Sequence, residues 1–180
     1  MNREQAYYFK ILLINGISDG YDEWLTSCLE AEDPLSDITI DLALCNSNIS
    51  QTISLLHNYC SEQTFDEKTV CRLLREYLKE QYHSQKLSME QVCILMSNFI
   101  PTHGSPHLLN FDIWGDMFYI SDFYSIAEEG IISKELFDKA FHDYLDYETP
   151  VLDALGFMAV EPQPPKKTWL DKLKGIFKKQ

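Results

Sequence analysis

The chain has little of what would mark it as disordered, secreted, membrane-spanning or metal-stapled. Glycine and proline occur seven times each in 180 residues, too few for a fibrous or low-complexity chain. No apolar run approaches the roughly 18 residues needed to cross a bilayer. The opening MNREQAYYFK lacks a charged n-region followed by an apolar h-region, so no secretory signal is expected there. Five cysteines (Cys28, Cys45, Cys60, Cys71, Cys93) make an odd number with no CxxC pair. They read as free, buried thiols of a reducing compartment, and a zinc site would need tighter ligand spacing. The sequence holds no GxSxG, Walker loop, GxGxxG or HExxH. It is therefore read as a non-enzymatic binding protein with no cofactor and no metal.

Positive charge is the scarcest ingredient. Asp and Glu number 28 against 15 Lys and Arg, a formal charge of −13. The deficit is uneven. Between Lys10 and Lys68 there is no Lys or Arg, while Asp19, Asp22, Glu23, Glu30, Glu32, Asp33, Asp37, Asp41, Glu62, Asp66 and Glu67 all fall there. A second basic-free stretch, 87–133, carries Glu90, Asp112, Asp116, Asp122, Glu128 and Glu129. Such a body repels nucleic acid and attracts cationic partners. Surfaces that only need solubility usually intersperse both signs, so Asp19, Asp22, Glu23, Glu30, Glu32, Asp33 and Asp37 are the candidate contacts for a basic protein partner. The competing reading of those carboxylates is a solvated acidic face with no ligand.

What is present is helical periodicity. Apolar residues at three- and four-residue spacing predict helices over 3–15, from about 20 through Cys28, over 35–45, 49–60, 65–78, 89–100, 114–130 and 134–145. Asn15-Gly16 reads as a helix stop, Ser18 or Asp19 as a cap, and Asp33-Pro34 as an N-cap with proline at the first helical position. Thr64 with Glu67, and Ser88 with Gln91, read as capping boxes. Pro101 ends a helix, Ser133 caps one, and Thr149-Pro150 opens a short turn that stops near Gly156. The 35–45 helix is apolar nearly all round (Leu35, Ile38, Ile40, Leu42, Leu44) and is expected to be the central buried one, with a strand over 38–44 as its rival. The expected core is Leu12, Trp24, Leu35, Ile38, Leu42, Ile53, Leu56, Leu73, Leu74, Val92, Met96, Phe118, Phe137 and Phe141. The fold class is all-α: one acidic domain over 1–158, a Pro-rich linker over 159–165, and a basic amphipathic helix over 166–180.

Two histidine groups are candidate metal or polar clusters. His103 and His107 lie near Asp112 and Asp116, but Gly-Ser-Pro between the two histidines denies them a common helical face, and a polar loop is the simpler reading. His142 with Asp143 and Asp146 reads as a solvated helix face. The tail is more distinctive. Lys166, Lys167, Lys172, Lys174, Lys178 and Lys179 ring an apolar stripe of Trp169, Leu170, Leu173, Ile176 and Phe177. This pattern suits an anionic membrane surface or a partner groove, with docking on the acidic body or disorder as alternatives. Lys166, Lys167, Trp169, Leu170, Leu173 and Phe177 are its candidate docking residues. The expected location is cytoplasmic, with weak contact to the inner face of the membrane as an option of the tail.

The segment EAEDPLSDITIDLALC (30–45), continuing into NISQTISLLHNYC (48–60), resembles immunity proteins encoded beside bacterial polymorphic or contact-dependent toxins. The resemblance implies a small acidic helical protein that binds and blocks a cognate toxin domain in the cytoplasm. It carries over no binding residue, because those proteins differ in the surface they use. The alternative expectation is a cytosolic adaptor docking through its basic tail.

Overall fold

In the computed structural model the described residues are 1–45, 48–62, 64–101 and 110–156. The linker and tail expected over 159–180 lie outside them, as do His103 and His107. Nine helices and no strand occur among the described residues: α1 Arg3–Ile14, α2 Tyr21–Ala31, α3 Asp37–Leu44, α4 Ile49–Ser61, α5 Glu67–His83, α6 Met89–Phe99, α7 Phe111–Glu128, α8 Lys134–Tyr147 and α9 Val151–Ala154. The all-α expectation holds for them.

Helix α1 packs on α4 and α5, and α5 in turn touches α6, α7 and α8. These two helices occupy the centre. Seven of the twelve residues of α1 are buried, running right round its circumference from Ala6 and Tyr7 to Leu12 and Leu13. Even Lys10 is buried, its Nζ 4.0 Å from the Tyr7 ring centroid, so the ring face replaces the water its ammonium loses. Helix α5 buries Val70, Leu74 and Leu78 along one stripe.

The 35–45 segment is a helix, as expected, but it is not the central one. It touches only α2 and α4 to any extent. Of its eight residues Thr39 and Leu42 are buried, whereas Ile40 and Leu44 are 40% and 72% exposed. Leu35, ahead of the helix, is exposed too, and so is Phe118 on α7. Ile38, Ile53 and Leu73 are only half-buried. An all-round apolar helix fits a centre or an interface equally well, and here the longer α1 and α5 take the centre. Leu42→Ala should accordingly cost about 2 kcal/mol, the low end of the usual 2–5, because a peripheral eight-residue helix can settle into the gap. Ile40→Ser should stay within about 0.5 kcal/mol. Urea midpoints for the two variants check both, and equal losses would mean that α3 is packed on both faces.

The helix ends show where local reading succeeds. Gly16, at φ 75°, closes α1 with the paired bonds Ile17 N–H to Leu12 O (2.9 Å) and Gly16 N–H to Leu13 O (3.1 Å). Ser88 and Gln91 exchange both capping-box bonds, and Ser133 caps α8 through Leu136 N–H at 3.1 Å. Three caps move. Helix α2 starts after Gly20, at φ 72°, rather than at Ser18 or Asp19. Asp33-Pro34 precedes α3 without capping it, and Ser36 is the N-cap. Asp66, not Thr64, caps α5: its Oδ1 accepts from Lys68 N–H at 3.0 Å and its Oδ2 from Thr69 Oγ1–H at 2.7 Å. Glu67 is thereby free to accept the Trp114 Nε1–H bond from α7 at 2.9 Å, a tertiary partner that a local cap would have lost.

Candidate functional site

Helix α2 turns Tyr21 and Trp24 inward, with Leu25 and Cys28 half-buried beside them. Its other face carries Asp22, Glu23 and Glu30. Asp19 on the approach, Asp33 on the exit and Asp37 in the first turn of α3 extend the same acidic run, and all six are exposed. Helices α2, α3 and α4 all lie inside the stretch without Lys or Arg, so no helix of this group contributes either residue.

The seventh candidate, Glu32, is engaged internally. Its Oε1 pairs with the Met1 amino group. Its Oε2 accepts from Ser36 N–H at 3.0 Å, Ser36 Oγ–H at 2.8 Å and Thr39 Oγ1–H at 2.8 Å. These donors, the ammonium foremost, hold the carboxyl at about 2, well below the ordinary glutamate value. Glu32 therefore ties the start of α1 to the start of α3. Asp19 is partly engaged as well, accepting from the Tyr77 hydroxyl at 3.2 Å, and burial together with Asp19 pushes that phenol up.

Two hollows flank α2. One, of about 560 Å³, lies against α1, with Tyr8, Phe9 and Trp24 as its aromatic wall and Glu23 and Glu32 at its edge. Phe9 and Trp24 stack at 4.7 Å between centroids, and Trp24 Nε1–H donates to Gln5 Oε1 at 3.2 Å. The other, of about 360 Å³, opens between α2, α3 and α4. Leu25, Leu42, Ala43 and Ile49 line it, with Tyr21 in its wall and Asp22 at its edge.

The histidine clusters resolve differently. Asp112 is exposed, whereas Asp116 is half-buried and accepts from Val151 N–H at 2.8 Å. Burial raises its pKa, which suits a structural bond to the start of α9. His142 stays beside Asp146, at 3.9 Å, and Asp146 gains partners the sequence did not suggest. Packing of α5 on α8 sets His83 Nε2 2.7 Å from Asp146 Oδ1 and places Lys79 Nζ 3.8 Å away, while Asp143 pairs with Lys139 at 3.2 Å. No group of three or more metal-ligating side chains forms among the described residues. All five thiols are free. Burial pushes Cys71 up to about 11 and Cys93 up to about 12, which leaves them protonated and poorly nucleophilic at neutral pH.

Arg75 is buried on α5. Its guanidinium reaches Glu76 at 2.7 Å and also Glu148, which caps α8 in the left-handed region at φ 58°. Its Nε has no partner.

The described residues thus define an all-α protein whose most distinctive surface is an exposed carboxylate array over α2 and the start of α3. No helix among them is long and apolar enough to cross a membrane. Comparison with family models, with curated proteins and with solved structures finds no match to this chain.

Proposed function

We propose that the chain is a non-enzymatic binding protein of the immunity type, which blocks a basic toxin domain by covering it with the α2–α3 surface. The observation that carries this reading is the set of six exposed carboxylates on and beside α2 and α3, helices without a single Lys or Arg. The arrangement works against the local helix. Glu30 sits in the last turn of α2, where no basic residue offsets it and a carboxylate faces the negative end of the macrodipole at a cost of about 0.3–1 kcal/mol. Leu29, Leu35, Ile40 and Leu44 stand exposed among the carboxylates. The mixture supplies both halves of a docking surface: charge to steer the encounter, apolar side chains to hold it.

The test is a comparison of the wild-type chain with a variant carrying Asp22→Lys, Glu23→Lys and Glu30→Lys, all at exposed positions. A toxin domain neutralised by the wild type should associate with the variant about 10- to 100-fold more slowly at low salt. Its growth inhibition should no longer be relieved on co-expression. Equal association rates for the two chains, unchanged between low and high salt, would end this reading of the surface.

A further inference from the structure

The hollow between α2, α3 and α4 contains an unanswered hydrogen-bonding group. Tyr21 is 9% exposed and lines the hollow, and its Oη is shut off from bulk water without a hydrogen-bond partner. Thr52, on α4, is the polar side chain beside it in the wall. The remaining wall is mostly apolar, Ile49 is half exposed at the mouth, and Leu44 stands 72% exposed next to the wall residues Ala43 and Cys45. Asp22 lies at the edge, with Asp37 and Asp41 exposed on α3. The occupant this hollow fits is a large apolar side chain with one polar tip, carried on a basic segment. A tryptophan meets that description, a large apolar ring carrying a single N–H donor.

The chain contains such a segment. Residues 166–180 hold six lysines, one aspartate and Trp169. The geometry points to this segment as the occupant of the α2–α3–α4 hollow, with Trp169 inserted beside Tyr21 and its lysines against Asp22, Asp37 and Asp41. Reach does not forbid it. Thirteen residue steps lead from Gly156 to Trp169, a span of up to about 40 Å at ~3.1 Å per residue. That is about the diameter expected of a domain of this size, so a large part of the surface, though not the far pole, is within range of the tether. Charge favours this face, since α2, α3 and α4 present no Lys or Arg to repel the segment. This inference goes beyond the toxin reading and does not need it. Where both hold, segment and toxin compete for neighbouring surface and the chain moderates its own binding.

The test is amide hydrogen exchange on the full-length protein, read peptide by peptide, with Trp169→Ala/Leu173→Ala as the comparison. A tethered segment acts at an effective concentration of about 1 mM, so even a dissociation constant of about 100 μM leaves the hollow some ten parts filled to one empty. Exchange in α3 and the start of α2 should therefore be up to about tenfold faster in the double variant. Ile49→Glu, a half-exposed position at the mouth, should reproduce that acceleration in the same peptides. Identical exchange in wild type and double variant overturns the proposal. So does protection located on α7 or α8 instead, protection that grows with protein concentration and so reports a second copy, or protection that arises only on adding anionic phosphatidylserine vesicles. None of these outcomes involves the toxin, so the two readings fail separately.

Discussion

Phe141→Ala is expected to lower the unfolding free energy by about 3–5 kcal/mol, the range for deleting a fully enclosed aromatic ring. The ring is 0% exposed on α8. It meets Tyr82 of α5 edge-on, with centroids 5.2 Å apart and planes at 75°, and lies 6.2 Å from Phe137 on its own helix. Since α5 is the helix that α1, α6, α7 and α8 share, a void at this joint cannot be filled by moving one peripheral element. At about 2–4 °C per kcal/mol for a chain of this length, the melting temperature should fall by ~6–20 °C. Phe118→Ala is the internal control. That ring is 39% exposed, and its loss should cost about 1 kcal/mol or less. Urea denaturation of the two variants separates them, and a Phe141→Ala loss no larger than that of Phe118→Ala would mean the α5–α8 joint is not the centre of the packing.

Glu32→Gln is expected to produce the second large effect, and its signature is pH dependence. The carboxylate collects a charged amino group, a backbone N–H and two hydroxyls. Charge-assisted bonds of this kind contribute about 1.5–3 kcal/mol each where solvent is excluded, and partial exposure of the site reduces their sum, so a loss of ~2–3 kcal/mol is expected at pH 7. The folded-state pKa, about 2, lies below the ordinary 4.5. The stabilisation is thus present in full above about pH 4.5 and disappears as the pH falls toward 2. Asp116 works with the opposite sign, because burial raises its pKa and its contribution weakens as the pH rises through that value. Stability measured at pH 6 and pH 3 should fall more steeply for the wild type than for Glu32→Gln. Parallel slopes would show that the Glu32 bonds do not persist in solution.

The contrast between Glu32 and its neighbours shows why an acidic run cannot be divided by reading it. Glu30, Glu32 and Asp33 are alike in charge and lie within four positions. Only the approach of Met1 and of Ser36 and Thr39 singles out the middle one as structural. The same holds for Glu67, which sits where a capping box for Thr64 would place it but serves Trp114, 47 residues further on. Asp146 likewise reads with His142 and Asp143 on one helix face, and only the meeting of α5 and α8 brings it His83, 63 residues away.

Periodicity and caps determined, from the sequence alone, the all-α class and the approximate extent of most helices, because those depend on contacts within four residues. Gly16, Ser88 and Ser133 act where local chemistry puts them. Composition also determined that the α2–α4 region would be anionic, since no fold can supply lysines the segment does not contain. Tertiary structure alone decided which apolar helix would be central. Both α1 and α3 are apolar around most of their circumference, and burial went to α1, the longer helix, which has α4 and α5 to cover it. The exposed flank of α3, with Ile40 and Leu44 among carboxylates, exists because an eight-residue helix packed on two neighbours cannot bury every side it has.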